Sequence, residues 1–600
     1  MSVFAIVLSI AFLRPQLCVQ AGEAAPTGLI TGTIRRIGGH AMEGVTVSAA
    51  AVGGTISTSV YSDDQGRFYF PALPGGRYRV WAQAVGYQAD REELDLLPAR
   101  PAHQNFTLKP DDDFERQLTS PEWLASLPDQ SSAERRMKMI FVHSCTTCHS
   151  AAFALQNKFD EAGWKAIVAL MEQINVYGKS GGPPSPVIQH YKGELATYLA
   201  KVRGPGPSPL KIKPYARPTG DAARVVVTEF NIPSAANPHE LIDQDGSDWS
   251  EGIPSGGNGS AGLHDLTIDQ NGNAWVTNGT ENRNRSFLKL DVETGKATNF
   301  RLPGPNGFAR GTHGIAQANN GFIWINLFES GGTFGRGSLL RLDPKTEKYD
   351  EFKPGAEMGS VGISVQVDGT GKVWATSDGA VVFDPANQKF TYFPPMTPGT
   401  GGYGVAGDQA GNGWFCQPGL DIVGFADFET KKVSEIRLPP RSGIDAISTE
   451  EDRKFYSRAE SSFTTAVLPA EGPRRMTAQG EYVWWSDWFG QNIARINIRT
   501  REVKYFNAPL PNLSPYAMAA DKNGMLWVAF PNDDRVAKLD PQTQRWTVYS
   551  LPSHGTNTRF ITVDNRKASV EVWEASFMTS KVVRLQFRTK EQMQAAAKMP

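Results

Sequence analysis

The chain has 600 residues, and its 61 Lys plus Arg nearly balance 62 Asp plus Glu for a net charge of −1. That balance, with no basic run, gives no footing for nucleic acid or an anionic membrane surface as partner, and the length calls for several domains. The 59 Gly, 40 Pro and 14 Trp point to a mainly β multidomain protein with short strands and many turns.

At the N-terminus, "VFAIVLSIAFL" (Val3 to Leu13) is apolar but too short to span a bilayer, and "VQAG" sets small residues around a cleavage after Ala21. Residues 1–21 therefore read as a signal peptide, which places the mature chain in the periplasm or outside the cell. Cys18 has Pro15 and Leu17 where a lipoprotein signal would place Leu and a small residue, so it is expected to leave with the signal. Cys145, Cys148 and Cys416 remain. No later segment is apolar for long enough to cross a membrane.

Residues 27–110 alternate in short strands separated by Gly, Pro and Asp-rich turns, the pattern of a small β-sandwich. The stretch "SDDQGRFYFPALPGGRYRVWAQAVGY" (Ser62 to Tyr87) resembles the carboxypeptidase regulatory-like domain, a sandwich of the prealbumin type. The resemblance implies a hairpin whose aromatics Phe68, Phe70 and Tyr78 fill the core. With no cluster of exposed aromatics or metal ligands, a spacer or accessory role is favoured over carbohydrate or surface binding.

Residues 130–203 contain "CTTCH" (Cys145 to His149). A structural zinc site needs a second pair of ligands, which is missing. A thioredoxin-like redox pair follows a strand, whereas "SSAERRMKMIFVHSC" reads as a helix running into the motif. A c-type haem site needs this spacing, because the two thiols bond the two vinyl groups while His149 gives its ring nitrogen to iron. Two further helices, around "FDEAGWKAIVALMEQI" and "HYKGELATYLAKVRG", complete a single-haem unit that resembles cytochromes c, with Tyr198 and Leu199 matching the Tyr-Leu pair by which that family's C-terminal helix packs on its N-terminal helix. The loop before the last helix has no Met, so Met171 is the expected distal ligand, with His190 and His143 as fallbacks. The order of haem motif, Trp164 and Met171 is similar to the haem domains of quinohaemoprotein amine dehydrogenases.

After a Pro-rich linker (204–220) the chain repeats. Segments such as "LHDLTIDQNGNAWVTN" and "YAMAADKNGMLWVAF" recur with Trp at 275, 324, 374, 414, 485, 527 and 573, and each is followed by text like "VAKLDPQTQRWTVYSLP". Four short strands per unit predict a seven-bladed β-propeller over 222–590, with one insertion between Trp414 and Trp485. The blades resemble the virginiamycin B (streptogramin) lyase family.

Counting eleven residues back from each Trp, and fourteen in the last unit, places His264, His313, Ile363, Tyr403, Arg474, Tyr516 and Arg559 at one mouth of the central channel. Such a ring suits an anionic or phenolic ligand, with a neutral imidazole as the proton acceptor. The lyase resemblance implies a His and Glu residues around magnesium at the last blade. Glu574 stands in a matching place, but Arg559 occupies the position of the His and cannot act as a base.

Three functions follow. The first is an exported haem c oxidoreductase that passes electrons from a small-molecule substrate to an outside redox partner. The second is a streptogramin-type lyase using magnesium, with an accessory haem domain. The third is a haem-bearing binding protein.

Overall fold

The computed structural model describes residues 27–146, 149–173, 185–234, 241–254, 262–280, 282–329, 336–358, 360–398, 402–440, 443–458 and 471–596. The signal segment and Cys148 lie outside them.

Six four-stranded antiparallel sheets follow one another, from Leu263–Ile268 to Arg545–Ser550, each a meander in chain order. A seventh is built by Thr558–Asp564, Glu571–Ser576 and Lys581–Phe587, and its outer strand comes from the other end of the body, Val225–Asn231. The first strand of each sheet neighbours the first strand of the next, and that of the seventh returns to that of the first, closing a seven-bladed propeller.

Each blade depends on its Trp. In blades one, three, four and six, an Asp opens the first hairpin and its Oδ1 accepts two backbone N–H groups of the turn. Its Oδ2 accepts the indole N–H of the Trp six residues on, at 2.9–3.0 Å, in the pairs Asp269–Trp275, Asp368–Trp374, Asp408–Trp414 and Asp521–Trp527. One carboxylate thus satisfies the turn and a buried donor together, which is why Asp and Trp recur at that spacing. Ala318 and Gln479 replace the Asp in blades two and five, and in blade seven Asp564 is engaged by Arg566 instead.

The N-terminal sandwich is not a separate bead. Its strand Ile56–Tyr61 pairs antiparallel with Val225–Asn231, so Thr46–Ala51, Gly76–Gln83 and Asp90–Leu96 extend blade seven into one eight-stranded sheet. Phe68, Phe70 and Tyr78 are buried in the sandwich core, as expected.

Between the sandwich and the propeller lies a helical unit: α1 (Ser120–Ser126), α2 (Ser132–Cys145), α3 (Ala151–Leu155), α4 (Glu161–Glu172) and α5 (Pro186–Val202). Starts are written locally: Ser131 and Glu134 form a capping box for α2, Asp160 caps α4, and Ser185 with Pro186 opens α5. The unit extends upstream of residue 130, because Trp123, Leu124 and Leu127 belong to its core. The linker is tied down too: Lys213 N–H donates to Ser126 Oγ and Tyr215 N–H to Glu122 Oε1, both at 2.9 Å.

The insertion between blades four and five forms α6 (Glu450–Arg458), which grips this unit. Asp452, fully buried, accepts from Arg136 at 2.6 and 2.7 Å and from the Tyr191 hydroxyl at 2.9 Å. A short α7 (Lys590–Ala596) ends the described chain, and among the described residues no helix is long and apolar enough to cross a membrane.

Replacing Asp408 or Asp521 by Ala removes three hydrogen bonds to a carboxylate and strands a buried indole N–H. Each is expected to cost about 2–3 kcal/mol of stability by chemical denaturation. Ala318→Asp, which sets an Asp six residues before Trp324 as in those four blades, is expected to stabilise or be neutral.

Candidate functional site at the propeller channel

The inner strands of blades one, two, five and seven each carry a register shift, between Leu263 and Leu266, Thr312 and Ile315, Pro473 and Met476, and Thr558 and Phe560. These bulges fall on His264, His313, Arg474 and Arg559. A bulge sets two residues against one and re-aims side chains, so blades one and five contribute a second group each, Asp265 and Arg475.

Arg475 is the centre of the site. Its Nη2 and Nη1 donate to Asp265 Oδ1 and Oδ2 at 2.8 and 3.0 Å, and Nη1 also reaches Ser364 Oγ at 3.2 Å. Its guanidinium lies 5.7, 5.5 and 5.4 Å from the ring centres of Tyr403, Tyr516 and Phe560. One side chain from blade five therefore spans to blades one, three, four, six and seven.

Around it stand the residues expected from sequence. The rings of His264 and His313 lie 3.6 Å apart, and His264 Nδ1 is 2.8 Å from Asp265 Oδ1. Tyr403 and Tyr516 are hydrogen-bonded through their hydroxyls. Arg474 lies 4.7 Å from the Trp488 ring centre and 5.4 Å from that of Tyr403, and Arg559 4.9 Å from Phe577 and 5.8 Å from Tyr516. None of these residues is more than a tenth exposed, so the site is screened from bulk solvent and its charges interact more strongly than at the surface.

Burial, reinforced by Arg475 and Arg559, holds His264 well below the usual imidazole range, and burial with His264 and Arg475 does the same to His313. Both stay neutral at physiological pH and are weak bases, which departs from the expectation that they supply the proton acceptor. Burial pushes the Asp265 carboxyl up and Arg475 opposes the rise. For the phenol pair, burial and the Tyr516 charge raise Tyr403, whereas at Tyr516 burial is outweighed by Arg475, Arg559 and Arg474, which pull it down.

Glu574 is fully buried and accepts from Thr558 Oγ1 at 2.9 Å. Burial, with Glu229 and Asp534 nearby, pushes its carboxyl up to about 8. Burial thus disfavours its ionised form. Among the described residues, the cluster with metal-ligating geometry is instead His264, Asp265 and His313, and a guanidinium already occupies its carboxylate.

The helical unit lies on this same face of the propeller. Thr146, at the end of α2, offers its carbonyl to Asn532 Nδ2 at 2.8 Å, and Asn532 Oδ1 accepts from Asn557 Nδ2 at 2.8 Å, two positions before Arg559. His143 packs its ring 4.3 Å from that of Phe489, next to Trp488. Burial pushes His143 down to about 4. Cys145 ends α2, half-buried; His149 Nδ1 donates to the Ser150 carbonyl at 3.0 Å, and Met171 is partly buried against the helical core. His190 is committed to a stack on Phe455 of α6, 4.1 Å between ring centres.

Residues 29–109 match the carboxypeptidase regulatory-like domain. Among solved structures, the chain is similar to virginiamycin B lyase from Staphylococcus aureus, at 16% identity and TM-score 0.44 over 61% of this chain and 100% of that one. It is similar to a streptogramin B lyase at 18% identity and TM-score 0.44, over 62% and 100%. Kuenenia stuttgartiensis hydrazine synthase shows 13% identity and TM-score 0.39, over 55% and 96%. No curated protein sequence matches the chain.

Arg475→Met leaves Asp265 buried without its partner and is expected to cost about 3–5 kcal/mol, much of it recovered in Arg475→Met with Asp265→Asn. Glu574 ionises at its ordinary 4.5 when unfolded but only near 8 when folded, so its protonated form favours the fold below 4.5 and that contribution is lost as pH rises through this window. The melting temperature of Glu574→Gln, relative to the parent, should therefore climb between these two pH values.

Proposed function

We propose that the protein is an exported, periplasmic or secreted, c-type haem oxidoreductase in which a small anionic or phenolic substrate is held in the propeller channel and its electrons leave through the helical unit to an outside redox partner. The observation that supports this reading is the contact path from Thr146, beside Cys145, to the channel face: Thr146 to Asn532 to Asn557, two positions before Arg559.

Cys145 and Cys148 would attach haem c, with His149 as proximal and Met171 as distal ligand. The His149 Nδ1–H bond to a backbone carbonyl supports this, since it orients the ring and leaves Nε2 for iron. When bound, the haem supplies a one-electron acceptor. The chain's own residues do the rest. Arg474 and Arg559 bring fixed positive charge toward an anionic group, the aromatic rings of Tyr403, Tyr516 and Trp488 pack its apolar body, and the buried ring excludes water.

The streptogramin-lyase reading is less favoured, because Arg559, which cannot act as a base, stands where the His would be expected. A binding protein without turnover has no observation of its own in its favour.

A pyridine haemochrome spectrum and a mass gain that survives denaturation are expected for the purified protein, and Cys145→Ala should lose the two-bond attachment. The weak sulfur-to-iron band should vanish in Met171→Ala. Phenolic and anionic candidates should reduce the haem whether or not a chelator is present; cleavage that needs metal, with a silent haem, would select the lyase instead. Removing Arg559 as Arg559→Ala should weaken binding at least tenfold, the loss of a charge-assisted contact of ~1.5–3 kcal/mol.

A further inference from the structure

Lys581 opens the third strand of blade seven and is fully buried. Its register partner on the neighbouring strand is Asn231, so Glu229, two residues before Asn231, faces the same side of the sheet. Glu229 Oε2 lies 3.5 Å from Lys581 Nζ. Asp245, from the segment that leads into blade one, sets its Oδ2 2.9 Å from the same nitrogen. Ser553 Oγ joins the amine to the first carboxylate, accepting from Lys581 Nζ at 2.9 Å and donating to Glu229 Oε2 at 3.0 Å. Ser247 N–H donates to Asp245 Oδ1 at 2.9 Å, and the buried Glu229 Oε1 has no hydrogen-bond partner. Asp245 also borders a cavity between the sandwich and the propeller; Arg91, which borders the same cavity, is paired with Asp248.

A primary amine, a carboxyl group and a second carboxylate held together out of water are what condensation to an amide requires. In bulk water the reaction stalls, because the amine is protonated and the acid ionised. In the interior, moving one proton from Lys581 Nζ to Asp245 Oδ2 turns the ion pair into a neutral amine and a neutral acid with no change in net charge. Burial favours that neutral pair. It opposes the charge on both groups, although within the ion pair Glu229 and Asp245 hold Lys581 above its ordinary range, and Lys581 pulls Asp245 down to about 2. Condensation removes both of these charges from the interior, and Glu229 keeps its own.

We infer that Lys581 and Asp245 join in an intramolecular isopeptide bond, with Glu229 as the proton shuttle and Ser247 N–H as the donor to the developing oxyanion. Once the proton has moved from Nζ to Oδ2, the Nζ lone pair attacks Asp245 Cγ and the Nζ–Cγ bond forms. Glu229 takes one proton from Nζ, directly or through Ser553 Oγ, while negative charge builds on Oδ1 against the Ser247 N–H. The Cγ–Oδ2 bond then breaks, Glu229 returns its proton, and Oδ2 leaves as water into the adjoining cavity. Of the three ammonium protons, one stays on the amide and two depart in the water, so no oxidant or other co-reactant is needed. The bond ties the approach to blade one to blade seven, a covalent closure of the ring. A cross-link across so long a stretch of chain restricts the unfolded state.

The test is mass spectrometry of the purified full-length protein after denaturation. The parent should weigh one water less than its covalent sequence. Its tryptic digest should contain a branched peptide joining the segment with Asp245 to the segment with Lys581, since trypsin does not cut after an acylated lysine. The deficit is the same with or without haem, so failure of the haem reading leaves it untouched. Lys581→Arg keeps a cation beside both carboxylates but has no nucleophilic amine, and should show the full mass. Glu229→Gln, close in shape to the parent, leaves Lys581 and Asp245 facing each other and should leave the chains unlinked. A parent of full mass with separate peptides overturns the inference, and so does a mass deficit without the branched peptide, which marks dehydration elsewhere. A Glu229→Gln protein linked as completely as the parent overturns the role given to Glu229. The parent's own digest decides the bond, whether or not either variant folds.

Discussion

The antiparallel seating of Val225–Asn231 between Lys581–Phe587 and Ile56–Tyr61 is the constraint on which the rest of the molecule depends. A seven-bladed ring with chain ends on different blades would expose two strand edges. Supplying the outer strand of the last blade from the start of the propeller removes one. Here the other flank of that strand is taken by the sandwich, so ring closure and the placement of the N-terminal domain become one event. Side chains reinforce the junction: Lys581, with no exposed surface, lies 2.9 Å from Asp245 and 3.5 Å from Glu229, a set of charges that is tolerable in the interior only because it is paired.

That closure dictates where the helices go. The chain leaves the sandwich near residue 110 and must return at Val225 to a fixed point on blade seven, so the segment between is a loop with both ends pinned. The segment's lower end is tied to the sandwich through Gln117, whose side chain accepts from Gly86 N–H and donates to the Tyr87 carbonyl, both at 2.9 Å. Its far side is held by Arg136 on Asp452 of α6, so blade four reaches over to grip it. Between these anchors the end of α2 lies on the channel face, where Thr146 meets Asn532.

The channel itself is organised by a mismatch of charge and room. Arg475 crosses from blade five to Asp265 on blade one, filling the axis, and Arg474 and Arg559 bring two more cations against aromatic faces. Stacking on Trp488, Phe577 and the two tyrosines offsets part of the lost hydration of these guanidiniums. What is left is a buried centre in which guanidiniums, aromatic rings and the Tyr403 and Tyr516 hydroxyls are packed together. The bulges make it possible, because a regular inner strand would point one residue of each adjacent pair away from the axis.

Much of this was legible in the sequence. The recurring Trp states the blade directly, and the Asp–Trp hydrogen bond that holds it in four of the seven blades is local and needs no distant partner. The signals for α2, α4 and α5 were local in the same way, and counting back from each Trp reached His264, His313, Tyr403, Arg474, Tyr516 and Arg559, all of which line the channel. Asp265 and Arg475 were missed because strict alternation assigns one inward residue per turn of the pattern, and a bulge is invisible to that count. The weak basicity of the histidines, the raised carboxyl of Glu574 and the meeting of Tyr403 with Tyr516 depend on burial and on groups far away in the chain, so only the folded arrangement decides them. The same holds for the contact of Thr146, at the end of α2, with Asn532 of the propeller. Local hydrogen bonding and periodicity wrote the elements into the chain, whereas long-range electrostatics and the closure of the ring chose which of their side chains would face one another.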